Sequence, residues 1–172
     1  MKRIVLMLAL LLGSTSVLFG QAGHGGQENN LRGLKGVRLV VMFARAGAID
    51  EAERPAILKL VEADATAQLQ KAGIPLFRFA NELENAGFPQ LIVYITADEP
   101  NGYVFPLVTN VRLLQRVRLA RDASIEADLA TWERSGVGAP KLTVEMIRSQ
   151  VGTEIDQFIN DYAGANSTSA RR

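Results

Sequence analysis

The sequence predicts a single α/β domain of the α+β type: a mixed sheet of four to five strands with two helices packed on one face, in the order β-α-β-β-β-β-α. Three patterns predict it. A β-branched, nearly continuous apolar run fills Gly36 to Phe43, two other stretches repeat apolar residues every three or four positions, and Tyr103 to Ala120 alternates with period two. Middle strands joined by short turns favour one sheet, and two amphipathic helices need one face of it to bury their stripes.

Gly36 to Phe43 reads as a first strand covered on both faces or on most of one. Pro55 suits a first helical position, and Leu58, Val61, Ala65, Leu69 and Ala72 form one stripe behind it. Gly73 then supplies a left-handed residue, Ile74 can fold back on the last turn, and Pro75 prevents continuation, so this helix ends near Ala72. Pro75 to Phe79 is expected as a short strand, Gly87-Phe88-Pro89 as a turn, and Gln90 to Ala97 as a strong strand.

After the turn at Asp98 to Gly102, the long strand Tyr103 to Ala120 places Val111, Leu113, Val117 and Leu119 toward the helices. Asn110, Arg112, Arg116 and Arg118 then face water. Pro106 cannot donate to a ladder and marks a bulge, an edge or the beginning of that strand. Arg121 to Asp128 is expected as a polar connection leading to a further strand, Leu129 to Ser135, the two strands forming a hairpin. Gly136 to Pro140 is a loop, Thr143 can cap a helix, and Ile147, Val151, Ile155, Phe158, Ile159 and Tyr162 form the second stripe, with Gly164 as its stop.

Residues 1–22 read as a secretory signal peptide. Lys2 and Arg3 make the positive start, Ile4 to Leu12 the apolar core, and Gly13 to Ser16 break it before cleavage after Gly20 or Ala22. The apolar stretch is shorter than the ~20 residues that a membrane span needs. Residues 23–30 are a flexible lead, 31–165 the domain, and 166–172 a disordered tail. The expected product is periplasmic or secreted, with no stable span after leader cleavage.

The chain contains no cysteine, which excludes a lipid anchor on a Cys and any disulfide framework. Of 19 basic residues, removal of Lys2 and Arg3 leaves 17 against 18 acidic ones. That near-neutral charge predicts no nucleic-acid partner. His24 is the lone histidine and lies in the flexible lead, which excludes multi-His metal sites and leaves a Ser-His-Asp triad without a rigid base. Gly136-Val-Gly138 lacks the third glycine of a dinucleotide loop, and no phosphate-loop string occurs, so no cofactor and no catalytic residue is predicted. Asp98 with Glu99, and Asp156 with Asp161, read as solvated carboxylates.

The residues of most interest are Arg112, Arg116 and Arg118, with Trp132. On one strand face Arg116 and Arg118 lie roughly 7 Å apart, a ladder that suits an anionic polymer, a lipid head group or an acidic partner. The plainer reading is a wet sheet face neutralised across the hairpin by Glu133 or Glu126. Trp132 either lies over those arginines or enters the core.

Leu31-Arg-Gly-Leu-Lys-Gly-Val37, Leu69-Gln-Lys-Ala-Gly-Ile74, Ala130-Thr-Trp-Glu-Arg-Ser-Gly-Val-Gly138 and Phe158-Ile-Asn-Asp-Tyr162 together resemble a group of small exported bacterial proteins of uncharacterised function. More distantly, the element order is similar to periplasmic α/β adaptor domains: the N-terminal domain of the translocation protein TolB, and the curli-secretion and penicillin-binding-protein-activator lipoproteins. The resemblance implies no site residues, and likeness at the level of fold does not fix function. The export signal, the one-sided sheet and the absence of an assembled catalytic set predict a non-enzymatic envelope protein that binds another envelope component through the open sheet face or an edge strand. The alternatives are an envelope hydrolase whose carboxylates come together from separate elements, and an anionic-polymer binder using the arginine stripe.

Overall fold

The computed structural model describes residues 27–99, 106–138 and 142–167. The leader, its cleavage positions, His24, Tyr103, Phe105 and the last five residues lie outside them. The fold is the expected one. Strands β1 (Arg38–Arg45), β2 (Gln90–Thr96), β3 (Val108–Leu119) and β4 (Asp122–Val137) form one sheet in that order. β1 runs parallel to β2, and the other pairs are antiparallel. Helices α1 (Arg54–Lys71) and α3 (Val144–Ser167) pack on each other and on the same face of the sheet. No helix among the described residues is long and apolar enough to cross a membrane.

α1 carries its stripe on Ile57, Val61, Ala65 and Leu69, which are buried, whereas Leu58 is half-buried and Ala72 exposed. The stripe is therefore rotated by about one residue at its start from the expected one. The end of the helix follows the sequence closely. Gly73 adopts φ 74°, its N–H bonds Gln70 O, and Ile74 N–H bonds Leu69 O, which places Ile74 in the core. Nothing crowds Gly73, so Gly73→Ala should cost only the left-handed backbone penalty, about 1 kcal/mol by urea denaturation.

Pro75 to Phe79 does not form a strand. Leu76 makes a single bridge to Val37, and the Glu82 carboxylate then takes the N–H groups of Arg78 and Phe79, drawing the chain into the short helix α2 (Ala80–Asn85). α2 closes as α1 does, with Gly87 at φ 79° and Phe88 N–H bonded to Leu83 O.

The largest difference concerns β4, which begins at Asp122 rather than Leu129, so that Ala120 and Arg121 alone make the hairpin turn. Val117 pairs with Ala127, Arg116 with Asp128 and Arg118 with Glu126. The polar segment is a strand because its acids alternate in step with the arginines opposite. A register shift at Thr131 then restores the buried face, with Trp132 beside Leu113.

Two ends expected to be loose also differ. Glu28–Leu31 form a 3₁₀ turn whose Asn30 amide donates to Thr131 O, and Gln27 Oε1 accepts the Glu133 N–H. α3 passes Gly164 as far as Ser167, and Asn166 bonds both Leu31 O and Gly33 N–H, tying the helix end to the first turn. Thr143 caps α3 as expected, accepting the Met146 N–H.

Candidate binding surface

Three cross-strand ion pairs line one face of the β3–β4 hairpin. Arg112 Nη2 meets Glu133 Oε1 at 3.0 Å, Arg116 holds Asp128 through two bonds of 3.0 and 3.3 Å, and Arg118 Nη2 meets Glu126 Oε1 at 2.9 Å. Aromatic rings flank the row: the Arg112 guanidinium lies 5.7 Å from the Tyr94 ring centre and that of Arg116 3.8 Å from Phe88. The Asp128 carboxylate pushes Arg116 still further above its ordinary pKa. Each arginine named by the sequence thus already has a carboxylate against it. The row is a neutral ladder, and an incoming polyanion would have to displace Glu126, Asp128 and Glu133.

Trp132 sits on the other side of the sheet. It is 1% exposed, packs edge-on against Phe158 with ring centres 5.1 Å apart, and donates Nε1–H to Asp161 Oδ2 at 2.9 Å. The sheet separates it from the arginines, so it cannot join them in one site. Asp161 also accepts from Arg134 Nη2 at 3.2 Å and from Gln157 at 3.2 Å, and only 8% of it is exposed. The sequence reading of Asp161 as a solvated carboxylate is therefore corrected: α3 turns it inward, where Trp132 and Arg134 satisfy it. Asp156, by contrast, is exposed.

Two turns earlier, Glu154 is 7% exposed beside Gln150, and burial pushes its carboxyl above the ordinary glutamate range. The folded protein then holds this proton more tightly than the unfolded chain, so Glu154 lowers stability as pH rises from the unfolded pKa through the raised one. Glu154→Gln should raise the melting temperature at neutral pH, and the pH-dependent part of the difference should fade as pH drops below about 3, where the wild-type side chain is protonated in both states. Thermal denaturation across pH measures it.

The feature that sequence reasoning missed is the second face of the same hairpin. β2 pairs with β3 only as far as Leu114, and Gly87 O adds one bond to Arg116 N–H. Beyond it the hairpin stands on two strands, extending ~17 Å past the last β2 pair at about 3.3 Å per residue. Alternation puts Val117 and Leu119 with Ile125, Ala127 and Leu129 on the face opposite the ion pairs. Ile125 is 43% exposed and Leu129 49% exposed. None of the five belongs to the core cluster or its packed margin, so Val117 and Leu119 do not meet the helices as expected. The signal was present as the alternation Ile125-Glu-Ala-Asp-Leu129, inside a stretch that its polar residues marked as a connection.

The largest groove among the described pockets, about 610 Å³, runs between the outer faces of α1 and α3 and is lined by Asp64, Glu145, Arg148 and Asp156. Arg148 clamps Asp64 with two bonds, which holds that carboxyl below its ordinary value. An ionised, paired Asp64 suits the joining of two helices and is a poor proton donor. No group of three or more His, Cys, Asp or Glu among the described residues is placed to hold a metal ion.

No family model matches the chain, and neither the curated proteins nor the solved structures include one similar to it.

Proposed function

We propose that the chain is an exported, non-enzymatic binding or adaptor module of the cell envelope, and that it holds a protein partner on the projecting β3–β4 hairpin. The observation that carries this reading is an apolar face on which Ile125 and Leu129 are exposed and Val117, Leu119 and Ala127 half-buried, set on an arm whose other face is neutralised by ion pairs. An apolar patch held clear of the core is costly to solvate and gains most when a partner covers it. The β4 backbone beside it forms the outer edge of the sheet, so an extended partner segment could add main-chain hydrogen bonds to apolar contact.

The positively charged start and apolar run of residues 1–22 support export, and the absence of cysteine supports an unlipidated product. The resemblance to small exported bacterial proteins and, at the level of element order, to periplasmic adaptor domains supports the same assignment. Anionic polymers are the less favoured ligand, because the ladder that would bind them already carries Glu126, Asp128 and Glu133. The reading is tested by asking whether Ile125→Lys/Leu129→Lys loses the partner that the wild-type domain binds in the envelope of its own cells.

A further inference from the structure

At the opposite edge of the sheet, β1 presents Leu39-Val-Val-Met-Phe43, an apolar run of the kind found in central strands. Its partner positions on β2, Leu91, Val93 and Ile95, are wholly buried, whereas Leu39, Val40, Val41 and Phe43 are half-buried and Met42 is 39% exposed. None of the usual protections of an edge, such as a lysine, a proline or an inward charge, interrupts these five residues.

The backbone directions are fixed at the start of the strand. Val37 turns both its polar groups away from β2, donating to Pro75 O and accepting from Phe77 N, while Arg38 N–H points to Pro89 O at the start of β2. Alternation then gives Leu39, Val41 and Phe43 outward N–H and C=O groups, with no pairing strand among the described residues.

We propose that β1 pairs antiparallel with β1 of a second copy of this chain about a two-fold axis at Val41, joining two sheets into one of eight strands. In that register Val41 lies opposite Val41 and Leu39 opposite Phe43, so all three outward residues of each copy are hydrogen-bonded. Val40 meets Met42 on the open face, and Arg38 falls opposite Ala44, so no like charges are opposed. Leu76 on Val37 ends the free edge on one side, and the register shift between Phe43 and Arg45 ends the straight run on the other.

The β4 edge is a poorer choice for self-pairing. A two-fold there at Ala127 would set Glu126 against Asp128, and Gln27 and Asn30 already take the edge groups of Glu133 and Thr131.

The test uses the mature chain, which has no native cysteine. Single variants Val41→Cys and Ala130→Cys are oxidised at micromolar concentration, and wild type and Met42→Lys are compared by analytical ultracentrifugation. The expected result is a disulfide-linked dimer from Val41→Cys alone, and a dissociation constant for wild type at least tenfold below that of Met42→Lys. Cross-linking at Ala130 with none at Val41, or a wild type that stays monomeric at about 100 µM, would overturn the proposal. If Met42→Lys fails to fold, the Val41→Cys result decides. Because the hairpin arm is at the other edge, either outcome leaves the reading of partner binding to its own test.

Discussion

Asp161→Ala should destabilise the domain by about 3–5 kcal/mol, the usual cost of removing one partner from a buried ion pair. The carboxylate collects Trp132 Nε1, Arg134 Nη2 and Gln157 Nε2, and its loss leaves an indole N–H without an acceptor and a guanidinium that is 18% exposed without a counter-charge. Arg134 Nε already has no hydrogen-bond partner, so Asp161 is the main compensation for burying that side chain. Pairing Asp161→Ala with Arg134→Met should recover part of the loss, since the uncompensated charge goes with it. Trp132 is the only tryptophan, so its fluorescence reports both the denaturation midpoint and the wetting of this interface. A loss under 1 kcal/mol in Asp161→Ala would contradict the role assigned to it.

The second large effect concerns binding. Ile125→Lys/Leu129→Lys should leave the thermal midpoint within a few degrees of wild type, because neither residue joins the core cluster. It should weaken partner binding at least tenfold, since two charges would be placed at the centre of a buried apolar contact. Replacing Arg112, Arg116 and Arg118 together by Gln should do less to binding, and what it does should come through loss of the ion pairs that stiffen the arm. The ladder and the apolar face are two sides of one hairpin, and the account assigns recognition to the second.

Much of this architecture was legible where local chemistry and tertiary packing agree. Gly36 to Phe43, Gln90 to Ala97, the Gly73-Ile74-Pro75 stop and the α3 stripe each carry their own signal, and each has its element in the structure, although the first strand runs Arg38–Arg45 and is a half-buried edge rather than a covered strand. The segment Asp122 to Asp128 was not legible, because its strand state depends on arginines a few residues upstream across the turn rather than on β-propensity of its own. Pro75 to Phe79 failed for the converse reason: its composition suits a strand, but Glu82 captures the backbone N–H groups at its end. Asp161 was misread because helical periodicity alone does not reveal that Trp132 and Arg134 on β4 meet that position. The arginines were found and two of their three neutralising acids, Glu133 and Glu126, were named, but Asp128 was not, and the face proposed to bind a partner lies on the residues between them.

The most direct measurement of that assignment is site-specific photo-cross-linking in the organism's own cells, with a benzoylphenylalanine placed in turn at Ile125, Leu129, Arg118 and Lys59. The account predicts one discrete protein adduct from Ile125 and Leu129, weaker capture at Arg118 across the hairpin, and none at Lys59 on the exposed side of α1. Equal capture at all four positions, or capture at Arg118 with none at Ile125 and Leu129, would contradict it.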